Sequence, residues 1–257
     1  MSQGAVFTFP GQGSYDGDVL HQLYAGFAEV EPWFAAADAA ALRLLGEPFL
    51  PLVASPLPEE RQAAADASPD LQQLGIFLAG VAVAHLLERR GVRPALLLGH
   101  SFGELAALGA AGVFGVEAGV EIVCHRVLAL RAVPTAGGMA ALSCGLERAE
   151  ALLREFGRPA LEVAVLNHAR QTVVSGPRAD LEALAPFAGG QGVSLSLLKS
   201  RYPFHSSHLA VAVDRFERRL RGYELRPPRV PVWLAMEGRA HHGGGGAPEL
   251  DLPALLA

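Results

Sequence analysis

The sequence predicts a two-part α/β fold: a large hydrolase-like subdomain built on a parallel central sheet, with a small ferredoxin-like subdomain inserted into it. Three observations carry this reading. Residues 95–105 run as an apolar strand through Gly99-His100-Ser101-Phe102-Gly103 into an apolar helix, the arrangement of a nucleophile elbow. A second apolar strand, 5–9, precedes it with helical patterning between the two. From Gly138 to Ser200 the order becomes β-α-β-β-α-β, the split pattern of a ferredoxin-like unit. The large part is expected over 1–132 and 201–257, the small part over 133–200.

Each element has its local reason. After the strand 5–9, helices are expected over 19–28 and 33–45, followed by a Pro-rich connection over 48–58. Over 70–90, Leu74, Phe77, Leu78, Val81, Ala82 and His85 recur at spacings of three and four, which predicts a helix with a broad apolar face. Gly91-Val92-Arg93-Pro94 stops it and delivers the chain to the elbow strand. A further helix is expected over 116–130. The small subdomain reads as strand 139–142, helix 147–156, strands 161–166 and 171–175, helix 179–187 and strand 193–198, with Asn167-His168-Ala169-Arg170 as a turn; helix 206–221 follows.

Composition limits the functions available. The 257 residues are 51% hydrophobic and 18% charged, enough apolar material for a substantial core and too much for disorder. The net charge is -5 and lysine occurs once, at Lys199, so nucleic acid is not an expected partner. Cys124 and Cys144 lack metal or redox spacing and read as buried thiols of a reducing compartment. No basic-then-apolar leader opens the chain, and no window has the uninterrupted apolar length of a membrane span; a cytoplasmic protein is expected.

The chemistry begins at the elbow. Small residues flanking Ser101 let it adopt the strained turn that lifts a hydroxyl clear of the backbone, with the Phe102 amide pointing into the same space as an oxyanion donor. Gly11-Gln12-Gly13 reads either as a second donor, through the Gln12 amide, or as a plain turn after a strand. Arg126 has Ile122, Val123, Ala129 and Leu130 as neighbours one turn away, which leaves a guanidinium on an apolar face. It either binds an anion such as a carboxylate, snorkels to solvent, or pairs with an acid elsewhere. Among nine histidines, His205 sits at a helix start, where a neutral imidazole can serve as base to a serine at another helix start.

Phe9-Pro10-Gly11-Gln12-Gly13-Ser14, Gly99-His100-Ser101-Phe102-Gly103-Glu104 and Tyr202-Pro203-Phe204-His205-Ser206, in that order and separation, resemble the malonyl-CoA:acyl-carrier-protein transacylases and the acyltransferase domains of polyketide synthases. The resemblance covers roughly 5–238. It implies transfer of a malonyl or related dicarboxylic acyl group from coenzyme A, through an acyl-Ser101 ester, to the phosphopantetheine thiol of an acyl carrier protein. No cofactor or metal is implied, and other polyketide synthase modules become possible partners. His205 would be the base of a Ser-His dyad, oriented by a backbone carbonyl of 232–238, and Arg126 the ligand of the malonyl carboxylate. Gln73 matches a cleft-facing glutamine, with a solvated helix-start residue as the alternative reading. Asn167 lies near a cleft-facing asparagine, with a turn residue as the alternative. Phe204 is similar to the bulky residue of malonyl-selecting domains. Arg215, Arg218, Arg219 and Arg221 suit either a carrier-docking patch or a solvated helix face.

Two departures stand out. Leu234-Ala235 replaces the polar pair usual in the family's carbonyl-bearing loop. After Gly238 the family continues through further helices and a strand, whereas 239–257 offers two histidines, four glycines and a short apolar tail, so the C-terminal part is expected to be truncated. An acyl hydrolase using the same dyad, or a non-catalytic docking module, are the alternative functions.

Overall fold

The computed structural model describes residues 4–134, 136–235 and 237–243. The described residues form two compact units, 4–128 with 217–243, and 129–216. The change-over points fall at 128/129 and 216/217, where the sequence reading has 132 and 200. The segment leading into 216 packs on the strands of the smaller unit: Pro203 lies against Gly137, and Ser207 donates its amide to Glu162 at 3.0 Å.

The larger unit is built on a four-stranded sheet in the order β1-β2-β7-β8. β1 (Ala5–Phe9) pairs in parallel with β2 (Pro94–Gly99), and β2 in parallel with β7 (Val232–Leu234). The fourth strand, β8 (Arg239–His241), runs antiparallel to β7 and falls in the 239–257 stretch to which the sequence reading assigns no element. Gly238, at φ +63°, turns the chain and donates to Leu234 O at 2.9 Å, closing a hairpin too short to show any alternation in sequence. The rest of the tail expectation, 244–257, lies outside the described residues.

Around this sheet, α1 (Gly17–Gly26) starts where the Asp16 carboxylate accepts from the Asp18 and Val19 amides. α2 (Glu31–Leu45) ends at Gly46, whose left-handed φ of +75° lets its amide reach Leu42 O. α3 (Pro58–Ala67) is a helix that the sequence reading leaves out. It buries only Arg61 and Ala65, so no apolar stripe announces it.

α4 (Gln72–Arg89) carries the core, with Leu74, Phe77 and Leu78 fully buried. Pro69–Arg89 corrects the expectation about membrane-length segments: with hydropathy 1.4 it is long and apolar enough by composition, but 67% of the window is buried within the protein, as in a core helix. α5 (Gly103–Ala110) and α6 (Val116–Arg131) complete the helices before the second unit.

In the smaller unit, β3 (Gly137–Leu142), β4 (Glu162–His168), β5 (Gln171–Pro177) and β6 (Leu195–Leu197) form an antiparallel sheet in the order β4-β5-β3-β6. That order, with α7 (Leu146–Phe156) and α8 (Arg178–Gly190) as the two crossings, is the ferredoxin-like topology read from the sequence. Leu142, Leu152, Val174, Leu181 and Leu184 from sheet and helices meet in its core. α9 (Ala210–Leu220) follows a 3-10 turn at Ser207–Leu209.

Candidate functional site

Sterics at three glycines shape the elbow. A Cβ on Gly99 would collide with the backbone of Glu104, so only glycine lets the strand fold back so sharply onto its own helix. A Cβ on Gly103 would sit on the carbonyl oxygen of Phe9 and 2.6 Å from that of Pro10. On Gly11 it would lie 2.8 Å from His100 O. β1, the loop after it and the elbow are therefore in backbone contact, and the His100 amide donates to Phe9 O at 3.0 Å. The Gly-x-Ser-x-Gly spacing and the Pro-Gly-Gln-Gly loop are two halves of one packing problem.

Ser101 occupies the left-handed region at φ +52°, an uncommon conformation for a residue with a Cβ and the mark of an elbow. Glu104 N donates to Ser101 O and Leu105 N to Phe102 O, so α5 starts immediately behind the serine. Ser101 remains half-exposed while Phe102 through Leu108 are buried. Gln12 is exposed, held in a turn that Ser14 Oγ closes on Gly11 O at 2.8 Å, with Gly13 at φ +106°.

The acyl-binding candidates in this unit come together. Arg126 is 2% exposed and Gln73 1% exposed, so the snorkelling and solvated readings of these two residues do not hold. Arg126 Nη1 donates to Gln73 Oε1, and the guanidinium carbon lies 5.1 Å from the centroid of the Phe102 ring. An amide oxygen and an aromatic face thus hold a buried cation beside the residue that follows the serine. Gln73 Nε2 is a buried donor with no hydrogen-bond partner among the described residues. Glu104, fully buried in the first turn of α5, escaped the sequence reading. It closes the Gly99–Glu104 elbow motif, where no role is assigned to it.

His125, next to Arg126, is buried edge-on against Tyr223, whose hydroxyl donates to Glu121 at 2.9 Å. Burial is the main cause that lowers its pKa, and the Arg219 charge adds to it.

In the smaller unit, His205 also takes a left-handed φ, +57°, in a tightly tied segment. Ser206 Oγ donates to Pro203 O at 2.6 Å, Ser200 Oγ to Tyr202 O at 2.7 Å, and Ser207 to the Glu162 carboxylate through both amide and hydroxyl. Phe204 is 5% exposed and meets Tyr202 edge-on at 5.7 Å. His208 Nε2 is bound to Ala160 O at 2.8 Å. Asn167 is the penultimate residue of β4, inside the strand and not in the turn expected over 167–170; it is exposed and donates its amide to Gln171 Oε1 at 2.8 Å across the hairpin. Glu162 was invisible as an anchor of the His205 segment, since nothing in sequence ties residues 45 positions apart. The loop 232–238 includes Met236, which lies outside the described residues. Directly after α9, Arg221 pairs back with Glu217 at 3.0 Å, so part of the arginine cluster serves the helix end itself.

Comparison with known proteins agrees with this architecture. The chain is 33% identical over 237 residues to the conidial pigment polyketide synthase PfmaE of Pestalotiopsis fici, covering 91% of this chain and 11% of that synthase. It therefore spans about a tenth of that relative's length. The malonyl CoA-acyl carrier protein transacylase of Burkholderia pseudomallei superposes with a TM-score of 0.80 at 26% identity, covering 98% of this chain and 81% of that one. A malonyl-transacylase solved in complex with its type II polyketide synthase acyl-carrier protein gives 0.82 at 25% identity, covering 98% and 79%. The hydrolase-like and ferredoxin-like fold expectation is borne out by these neighbours. The description "Acyl transferase domain" matches residues 6–251, and the chain belongs to that family.

Proposed function

We propose that the chain transfers a malonyl or closely related dicarboxylic acyl group from coenzyme A to the phosphopantetheine thiol of an acyl carrier protein. The observation that carries this reading is the buried Arg126 guanidinium, fixed by Gln73 and by the ring of Phe102, the residue directly after the elbow serine. A buried planar guanidinium beside the elbow serine suits an acyl group that ends in a carboxylate, because its fork can give such a group two parallel hydrogen bonds. The cation selects the acyl group whether a thiol or water accepts it; transfer is favoured over hydrolysis by the malonyl-transacylase solved with its acyl-carrier protein. The relatives named above support both the thioester chemistry and a carrier-protein partner.

In the proposed mechanism His205 removes the Ser101 proton as Oγ attacks the thioester carbon. A C–O bond forms, and the amides of Gln12 and Phe102 hold the oxyanion. Collapse breaks the C–S bond, and the proton on His205 leaves with the coenzyme A thiolate. Arg126 keeps the carboxylate of the malonyl-serine ester. His205 then deprotonates the carrier thiol, a new C–S bond forms, the C–O bond breaks, and Ser101 regains its proton. Phe204 and Asn167 are assigned to the acyl pocket, with Phe204 crowding an α-methyl branch. The reaction needs no metal or cofactor beyond the two thiol carriers.

Intact-mass measurement after incubation with malonyl-CoA tests the reading. One malonyl group is expected on the wild type and none on Ser101→Ala, with transfer to added carrier protein exceeding release of free malonate. An unlabelled wild type, or equal labelling of Ser101→Ala, would sink it.

A further inference from the structure

The larger unit holds a cavity of about 420 Å³ that the mechanism above does not use. It is walled by the second half of α4, the last turn of α5, the start of α6 and the segment 226–229. From Ser101 to Gly109 at the cavity is about 12 Å along α5, and from Gln73 to Glu88 about 22 Å along α4, so this space is separate from the elbow. We infer that the cavity is a nucleotide site, with the base against Trp33, the phosphates on Arg226 and Arg229, and the sugar hydroxyls on Glu88. The inference does not depend on acyl transfer.

The aromatic wall comes first. Trp33 is half-buried and meets His85 edge-on at 5.1 Å, while Phe114, 4% exposed, backs the same cavity. An indole braced by a neighbouring ring is a rigid platform on which a flat base can stack.

The cations are held in place by backbone. Arg226 N donates to Val113 O and Arg229 N to Ala111 O, both at 2.8 Å, which pins the segment against the loop between α5 and α6. The Arg229 side chain lies over Gly112, where a Cβ would come within 2.6 Å of Nε, and its Nη2 donates to Ala110 O at 3.1 Å. That carbonyl takes one donor of the fork, and the fork has others to give. Arg226 has an ion pair with Glu224 at 3.9 Å, exposed on both sides and too loose to occupy the guanidinium. Two guanidiniums on one pinned segment suit phosphate oxygens, which accept forked hydrogen bonds.

Glu88, one turn after His85 on α4, decides what kind of anion fits. A bare polyanion meets its charge unfavourably, whereas the hydroxyls of a ribose are donors that a carboxylate accepts. The volume lies within the roughly 300–1,000 Å³ of small-molecule sites.

ADP is the probe, titrated into the full chain by calorimetry with inorganic pyrophosphate and coenzyme A in parallel. One saturable ADP site is expected. Arg226→Gln, Arg229→Gln and Trp33→Leu should each weaken it about tenfold, the scale of a hydrogen bond to a charged group or of one stacked base. The Arg226 side chain is 72% exposed, so its replacement should leave Tm at the wild-type value and guards against a folding defect. In Trp233→Phe the indole emission comes from Trp33 alone, and ADP should quench it. Coenzyme A carries the same group at one end. If the three variants weaken its binding too, it is the source of the nucleotide; if they weaken only ADP, a free nucleotide is. Absence of ADP binding overturns the assignment, as does pyrophosphate binding as tightly as ADP, which would leave Trp33 no role. ADP that binds all three variants like the wild type and is displaced by coenzyme A sits elsewhere, and that also overturns it. None of these readouts passes through Ser101, so failure of malonyl transfer and failure of this site are told apart.

Discussion

Gln73→Leu separates what the buried amide does for stability from what it does for the reaction. In the free protein two terms oppose. Removing Oε1 takes the acceptor from Arg126 Nη1, and a hydrogen bond to a charged group contributes about 1.5–3 kcal/mol. Removing Nε2 deletes a buried donor with no hydrogen-bond partner among the described residues, which relieves about 1–3 kcal/mol of desolvation penalty. Leucine fills the same volume at a site 1% exposed, so no large cavity opens. The net change should be within about 1 kcal/mol, or about 2–4 °C in Tm for a chain of this size. Acylation is different, because in the proposed reaction the amide orients the cation that binds the carboxylate. Loss of that orientation should lower malonyl kcat/KM at least about tenfold while acetyl is little affected. Differential scanning calorimetry and stopped-flow acylation measure the two sides. A large fall in Tm with malonyl selectivity intact would refute the reasoning, since it would make Gln73 a structural residue whose second amide group is satisfied.

Two further predictions concern the scaffold. Gly103→Ala places a methyl on the Phe9 carbonyl that accepts from His100, and should cost more than about 3 kcal/mol, whereas Gly13→Ala meets open space and bears only its positive φ, about 1–2 kcal/mol. Comparable urea midpoints for the two variants would contradict the idea that the glycine motif is set by that carbonyl. The pH dependence should report His125. Burial, with Arg219 and Arg43 nearby and Glu121 opposing them, lowers its folded pKa below the ordinary 6.5. The unfolded chain therefore binds the proton more readily. Stability from this site is complete above about pH 6.5 and is lost as pH falls toward the folded value, at no more than about 1.4 kcal/mol per pH unit. His125→Phe keeps the edge contact with Tyr223 and should flatten urea midpoints between about pH 7.5 and about pH 5; an unchanged slope assigns the acid sensitivity elsewhere.

The parts of the molecule legible in sequence are those in which the backbone itself dictates residue type. Gly99, Gly103 and Gly11 stand where a Cβ collides with main chain, so the elbow and its partner loop announce themselves as short motifs. The ferredoxin-like order is legible for a related reason, since antiparallel strands and amphipathic helices impose periods on neighbouring residues. α3 imposes none, because a helix that buries Arg61 through an ion pair with Asp18 rests on a long-range contact. The same limit governs the site. Arg126 could be singled out as a cation on an apolar face, but among the residues that hold it are an amide 53 positions away and the ring that follows the elbow serine. Nothing in the spacing of those three residues is periodic. Their meeting depends on α4, α5 and α6 packing together, so the proposed acyl selectivity is written in tertiary contacts even though the proposed nucleophile is written in five consecutive residues. On the proposed function, replacing Arg126 alone should not exchange acyl specificity, because it leaves the buried Gln73 amide arranged around a charge that is gone.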